Sequence, residues 1–181
     1  MNIPNFLSIS RIFLLIPILV LFEFGFFYSA LVIYITASVT DFLDGYFARK
    51  LNLETKLGAL LDLLADKLFV SILLIWATFN FESVLILLST FMIVSRELTI
   101  GYLRMYFLQN GFSDKSLKSN FLGKLKTTLQ MFGLGTLFIS PLSDTLTTIA
   151  VYLIFISAIF SLLSLANYSI KWITQSENKK T

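Results

Sequence analysis

Four aspartates hold the chemistry open to this chain: Asp41, Asp44, Asp62 and Asp66, set within a stretch of 26 residues, D-F-L-D-G-Y-F-A-R-K-L-N-L-E-T-K-L-G-A-L-L-D-L-L-A-D. At about 100° per residue of helix, Asp41, Asp44, Gly45 and Ala48 fall on one stripe. Gly58, Asp62, Ala65 and Asp66 fall on a second one. Each stripe joins two carboxylates to residues with almost no side chain. Carboxylates are hard oxygen ligands suited to Mg²⁺ or Mn²⁺, and the small residues leave room for a ligand against the helix backbone. One aspartate in an apolar helix could snorkel or pair with a lysine. Four clustered in a low dielectric repel one another unless cations neutralise them. The pattern therefore reads as a metal-and-ligand site rather than a packing seam.

The elements that must position these carboxylates are membrane helices. The chain has 181 residues, of which 56% are apolar and only 14% charged, with 19 phenylalanines, and its mean hydropathy is +0.82. A soluble domain of one-domain length has no core to absorb that composition, and a polytopic membrane protein does. There is no cysteine and no histidine, which excludes disulfides, thiol nucleophiles, zinc–thiolate sites and imidazole bases. Acid–base work falls to carboxylate, lysine, tyrosine or water.

Six spans of roughly 20 residues are expected in a single domain covering 1–181. The first, Ile12–Phe22, follows a short interfacial helix at Asn5–Ser10. The second, Phe24–Thr40, runs into the aspartate motif. Leu57–Phe79, Ser83–Leu108, Phe121–Ser140 and Thr145–Ile170 complete the bundle, with a polar loop at Asn110–Asn120 and a polar tail from Lys171. A cleaved signal peptide is disfavoured, because Arg11 sits late and no A-x-A-like site follows. The loops after the first, third and fifth spans carry Glu23, Glu82 and Asp144 and no basic residue, whereas all 14 lysines and arginines fall on the opposite side or in its helix ends. The positive-inside rule then puts both termini, and the aspartate motif, in the cytoplasm. The fold class expected is all-α, with a polar cavity facing the cytoplasm.

The spacing Asp41-x2-Asp44-Gly45-x2-Ala48-Arg49-x8-Gly58-x3-Asp62-x3-Asp66 resembles the signature of the CDP-alcohol phosphatidyltransferases, membrane enzymes that move a phosphatidyl group from CDP-diacylglycerol to an alcohol. That resemblance implies two divalent cations (Mg or Mn) held by Asp41, Asp44, Asp62 and Asp66, with the CDP diphosphate bridging to them. Asp66 is then the candidate base for the acceptor hydroxyl. Gly45, Ala48 and Gly58 would border CDP-diacylglycerol, Arg49 would meet phosphate with its bidentate fork, and Thr40 is a candidate nucleotide contact. The resemblance also implies a homodimer and a membrane-lipid substrate, with no role for nucleic acid. The chain departs from the family pattern at Leu63, where proline commonly follows the third aspartate. A proline there would loosen the helix beside the metal site.

The opening N-I-P-N-F-L-S-I-S-R, the run S-R-E-L-T-I-G-Y-L-R and the later G-K-L-K-T-T-L-Q resemble the prokaryotic phosphatidylglycerophosphate synthase branch, whose acceptor is glycerol 3-phosphate. Arg96 and Arg104, with Lys124 and Lys126, form a basic cluster suited to an acceptor that already carries a phosphate, and Lys115 and Lys118 lie in the loop between them. Glu97, Gly101 and Arg104 share one stripe. Snorkelling is the plain account of any one of these cations, and a structural salt bridge is that of Arg96 and Glu97. Cardiolipin synthase and phosphatidylserine synthase would keep the aspartates and change the acceptor pocket. A membrane prenyltransferase would be longer, with differently spaced motifs. A divalent-cation transporter could use intramembrane aspartates but needs neither Gly45 and Ala48 nor the basic cluster.

Overall fold

The computed structural model describes the backbone of residues 3–50, 56–109 and 121–178, and within them the side chains of 8–40, 64–103, 105–106 and 123–170. Among the described residues six α-helices follow one another: α1 (Ile3–Glu23), α2 (Phe27–Lys50), α3 (Lys56–Phe81), α4 (Val84–Gln109), α5 (Phe121–Ile139) and α6 (Asp144–Asn178), with a 3₁₀ turn at Ser140–Leu142 before the last. There is no strand among the described residues. The all-α class expected from composition is what the chain forms.

Element boundaries follow the expected ones closely except at the first and last helices. The first helix begins at Ile3 and runs unbroken through Pro17, absorbing the separate interfacial segment. Helix α2 continues to Lys50, as expected from the second span running into the motif, so the first half of the aspartate motif is the end of that helix. Helix α6 runs on to Asn178, well past Lys171, because K-W-I-T-Q-S-E-N offers neither glycine nor proline to stop it.

The α1–α2 corner shows how the sequence sets such a turn. Gly25 has φ of 82°, the left-handed conformation that a Cβ disfavours. Its N–H donates to Phe22 O (2.9 Å), and the Phe26 N–H donates to Leu21 O (2.8 Å). These two bonds close a Schellman motif and satisfy the carbonyls at the end of α1. The reversal lays α2 back against α1.

Helix α1 packs on α2 and α3, α4 on α3 and α6, and α5 on α6 and α2. Where they converge, Phe22, Tyr34, Phe69, Leu73, Trp76 and Phe138 interlock by ring contacts and apolar packing. Large apolar side chains also cover the outside, including Phe13, Phe79, Phe91, Leu98 and Phe132. Outward phenylalanines on every side are costly in water and favourable in lipid. Among the described residues three stretches, Leu64–Phe81, Val84–Leu103 and Asp144–Ile170, are long and apolar enough to cross a bilayer. These are the features of an integral membrane protein.

Candidate active site

The two motif helices meet at an aromatic contact that sets their register. Tyr34 of α2 and Phe69 of α3 stack with ring centroids 5.9 Å apart and an interplanar angle of 16°. Asp41 lies seven residues after Tyr34, and Asp62 lies seven residues before Phe69. Seven residues are close to two full helical turns. On these antiparallel helices the two aspartates therefore occupy equal depth, on the backbone faces that carry Tyr34 and Phe69. The side chains of Asp41, Asp44, Gly45, Ala48, Arg49, Gly58 and Asp62 lie outside the described residues; their positions on α2 and α3 are backbone positions. Among the described residues no three carboxylates, histidines or cysteines stand together. Asp66 is the described member of the set and is half-buried. Asp41 and Asp62 thus hold equal depth on two helices linked by a ring contact, and aspartate is a residue type that fits Mg²⁺ or Mn²⁺.

Thr40 is partly exposed, and its hydroxyl donates to Ala37 O at 2.8 Å. Its oxygen keeps acceptor capacity, but the proton is committed to its own helix.

Starting from Lys67, the residue after Asp66 on α3, a second charged group assembles from three helices. The Glu97 carboxylate of α4 is bonded at Oε2 by the Lys67 ammonium of α3 and at Oε1 by the Lys126 ammonium of α5. Arg96 Nη1 also donates to Oε1, at 2.7 Å, and Arg96 Nη2 donates to Ser164 Oγ of α6 at 3.2 Å. Arg96 and Lys126 are buried. Three cations face one carboxylate, so two formal positive charges are in excess within the group. Among the described residues Arg96 Nε has no hydrogen-bond partner. Beside Glu97 on the same stripe, a Cβ placed on Gly101 would meet nothing within 4 Å, which leaves open room next to the cations.

The structure thus unites two of the four expected acceptor-site cations, Arg96 and Lys126. Lys124 is exposed. The Arg104 side chain lies outside the described residues, as do Lys115 and Lys118 entirely. Lys67, not among the expected acceptor-site cations, joins this group. Its signal was its place next to Asp66, which puts it about 100° around α3 on the face toward α4.

An apolar groove of about 470 Å³ lies between α2 and α5, lined by Leu31, Tyr34, Ile35, Val39, Phe132 and Gly135, among others. Ile35, Val39 and Phe132 are exposed on the outside of the bundle, so the groove opens where lipid would lie. Its floor is closed by the Tyr34 hydroxyl, which donates to Met131 O at 2.9 Å. Ser38 and Val39, at one end, stand less than one turn of α2 from Asp41.

Comparison with known proteins agrees with the residues and their arrangement. A protein from Salmonella choleraesuis (strain SC-B67) named CDP-diacylglycerol--glycerol-3-phosphate 3-phosphatidyltransferase is 32% identical over 170 residues, 92% of each chain. Proteins of the same name from Sodalis glossinidius (strain morsitans) and Shigella flexneri serotype 5b (strain 8401) are 34% identical over 172 residues (93% of each chain) and 33% identical over 171 residues (92% of each chain). Residues 1–166 match the family described as CDP-alcohol phosphatidyltransferase. With that match over nearly the whole chain, and the aspartate motif complete on α2 and α3, the protein belongs to the CDP-alcohol phosphatidyltransferase family.

Proposed function

We propose that this chain transfers the phosphatidyl group of CDP-diacylglycerol to sn-glycerol 3-phosphate, yielding phosphatidylglycerophosphate and CMP. The names of its relatives support the reading. The observation that carries it is the cation group around Glu97. A phosphate monoester brings about two negative charges, which match the excess on Lys67, Arg96 and Lys126. A zwitterionic acceptor such as serine would not need that excess.

In this reading Asp41, Asp44, Asp62 and Asp66 hold two divalent cations, Mg or Mn. When bound, these supply Lewis-acid polarisation of the phosphoryl oxygens and offset charge on the departing nucleotide. Arg49 holds phosphate, while Gly45, Ala48 and Gly58 leave space for the nucleotide, with Thr40 at its edge. Arg96 and Lys126, joined by Arg104 and Lys124, bind the acceptor phosphate. Asp66 takes the proton of the acceptor hydroxyl as its oxygen forms a bond to the β-phosphorus. The bond from that phosphorus to CMP breaks, and CMP leaves with the electron pair. Because Asp66 and Lys67 are adjacent in sequence, one turn of α3 would serve both substrates. The α2–α5 groove suits lateral entry of an acyl chain toward the motif.

The same reading places six spans in a bacterial cytoplasmic membrane, with both termini and the polar cavity cytoplasmic, and two copies associated as a homodimer. The test is metal-dependent CMP release by purified protein offered competing acceptors. Release with glycerol 3-phosphate, giving phosphatidylglycerophosphate, is expected. A protein that ignores glycerol 3-phosphate and consumes phosphatidylglycerol overturns the acceptor. Metal-independent or absent CMP release overturns the reaction.

A further inference from the structure

Helix α1 carries a buried charge that the aspartate motif does not include. Its buried seam runs Ser8, Arg11, Leu15, Ile18 and Phe22, a spacing of three and four that faces one side. Four of these five would suit any packing seam. Arg11 is 1% exposed, the largest of the fully buried side chains, and Ser8 is 2% exposed.

Ring contacts give the depth of this arginine. Phe22 of α1 meets Trp76 of α3 with centroids 4.7 Å apart and meets Phe27 of α2 at 5.1 Å. Arg11 precedes Phe22 by eleven residues, Ala65 precedes Trp76 by eleven, and Ser38 follows Phe27 by eleven. At about 1.5 Å per residue, Arg11, Ser38 and Ala65 share one level. Asp66 is one residue from it. Three residues further toward the N-terminal end of α1, Ser8 is level with Asp41 and Asp62 by the same count. The Tyr34–Phe69 contact independently gives the same α2–α3 register. Helix α1 packs on α3, and Ala65 at this depth is itself 1% exposed.

A guanidinium does not give up its proton in proteins, and a buried charge needs an opposite one. At 1% exposure Arg11 lies deeper than Arg96 (6%) or Lys126 (7%), and its guanidinium is surrounded by protein groups. It must act through another group. We propose that Arg11 is a positioning residue that holds the carboxylate of Asp66. From α1 it fixes the rotamer of that aspartate and offsets part of the negative charge of the four-aspartate set before metal and nucleotide arrive. This inference rests on the aspartate site proposed above.

Two measurements on the purified full chain test it. The first is a thermal-unfolding cycle of wild type, Arg11→Met, Asp66→Asn and the double variant. Coupling predicts that the double variant unfolds no earlier than the less stable single variant. Additive losses overturn the pairing. If Arg11→Met does not yield folded protein, Arg11→Lys takes its place in the cycle with the same two outcomes.

The second measurement is Mn²⁺ binding beside steady-state kinetics. Removing a cation from among carboxylates should tighten Mn²⁺ severalfold in Arg11→Met while kcat falls at least tenfold and both KM values stay within twofold. Arg11→Lys should recover part of kcat and return Mn²⁺ binding toward wild type. Loss of Mn²⁺ binding in parallel with kcat, as a purely structural arginine would give, overturns the proposal, as does unchanged kcat. Wild-type protein that binds no Mn²⁺ would reject the aspartate metal site itself, and the unfolding cycle would still decide whether Arg11 and Asp66 are coupled.

Discussion

Buried Lys126 of α5 and partly buried Glu97 of α4 form an ion pair, with Lys67 and Arg96 on the same carboxylate. Glu97 thereby fixes three cations drawn from three helices. Lys126→Gln should raise KM for glycerol 3-phosphate severalfold or more, as expected for loss of a charge-assisted contact, and should change KM for CDP-diacylglycerol much less. The exposed Lys124 should have a smaller effect on changing to Gln. Glu97→Gln leaves three facing cations without their counter-charge and should destabilise the fold by about 3 kcal/mol, read as a fall in Tm. Equal KM effects on both substrates would reject the acceptor role of Lys126.

The carboxylates themselves give the second test. Asp41→Asn, Asp44→Asn, Asp62→Asn and Asp66→Asn should each remove most turnover while the protein remains inserted and folded. Losing one charge of a crowded set relieves repulsion, so packing need not suffer at Asp41, Asp44 or Asp62, whereas Asp66→Asn also removes the proposed partner of buried Arg11 and should lower Tm. Turnover close to wild type in any two of these variants is incompatible with a four-aspartate metal site.

Packing supplies a third prediction. A Cβ on Gly133 would come 2.7 Å from Ile154 Cγ1 and 3.2 Å from the Ile154 backbone nitrogen. Glycine is what lets α5 and α6 approach so closely. Gly133→Ala should cost about 1–3 kcal/mol by overpacking, lowering Tm with little change in KM for either substrate. Gly101→Ala, whose Cβ meets nothing within 4 Å, is the control and should unfold at the wild-type temperature.

Orientation is tested by single cysteines, since the chain has none of its own. Cysteines at Glu23, Glu82 and Asp144 should react with an impermeant reagent added outside the cell, and one at Lys115 should not. Labelling at Lys115→Cys from outside would reverse the topology that the distribution of lysine and arginine implies.

By itself the sequence determined the membrane character, the all-helical class and the family. Each rests on a signal that is local or compositional: long apolar runs, and small and acidic residues at fixed helical spacing from Asp41 to Asp66. Helical periodicity puts such residues on one face whatever the rest of the chain does. Helix ends were less legible. The run after Lys171 reads as a polar tail by composition, yet it continues α6, because polarity alone does not stop a helix.

What only the tertiary structure decided is which distant charges meet. Arg96 and Glu97 are neighbours in sequence, but Lys67 and Lys126 are separated from Glu97 by 30 and 29 residues, and their meeting depends on how α3, α4 and α5 pack. The depth of Arg11 was equally hidden. It is fixed by the seating of Phe22 between Trp76 and Phe27, which sets the register of three helices at once. Ridge-into-groove packing chooses such registers from side-chain shape across the whole interface, and no spacing within one helix records it.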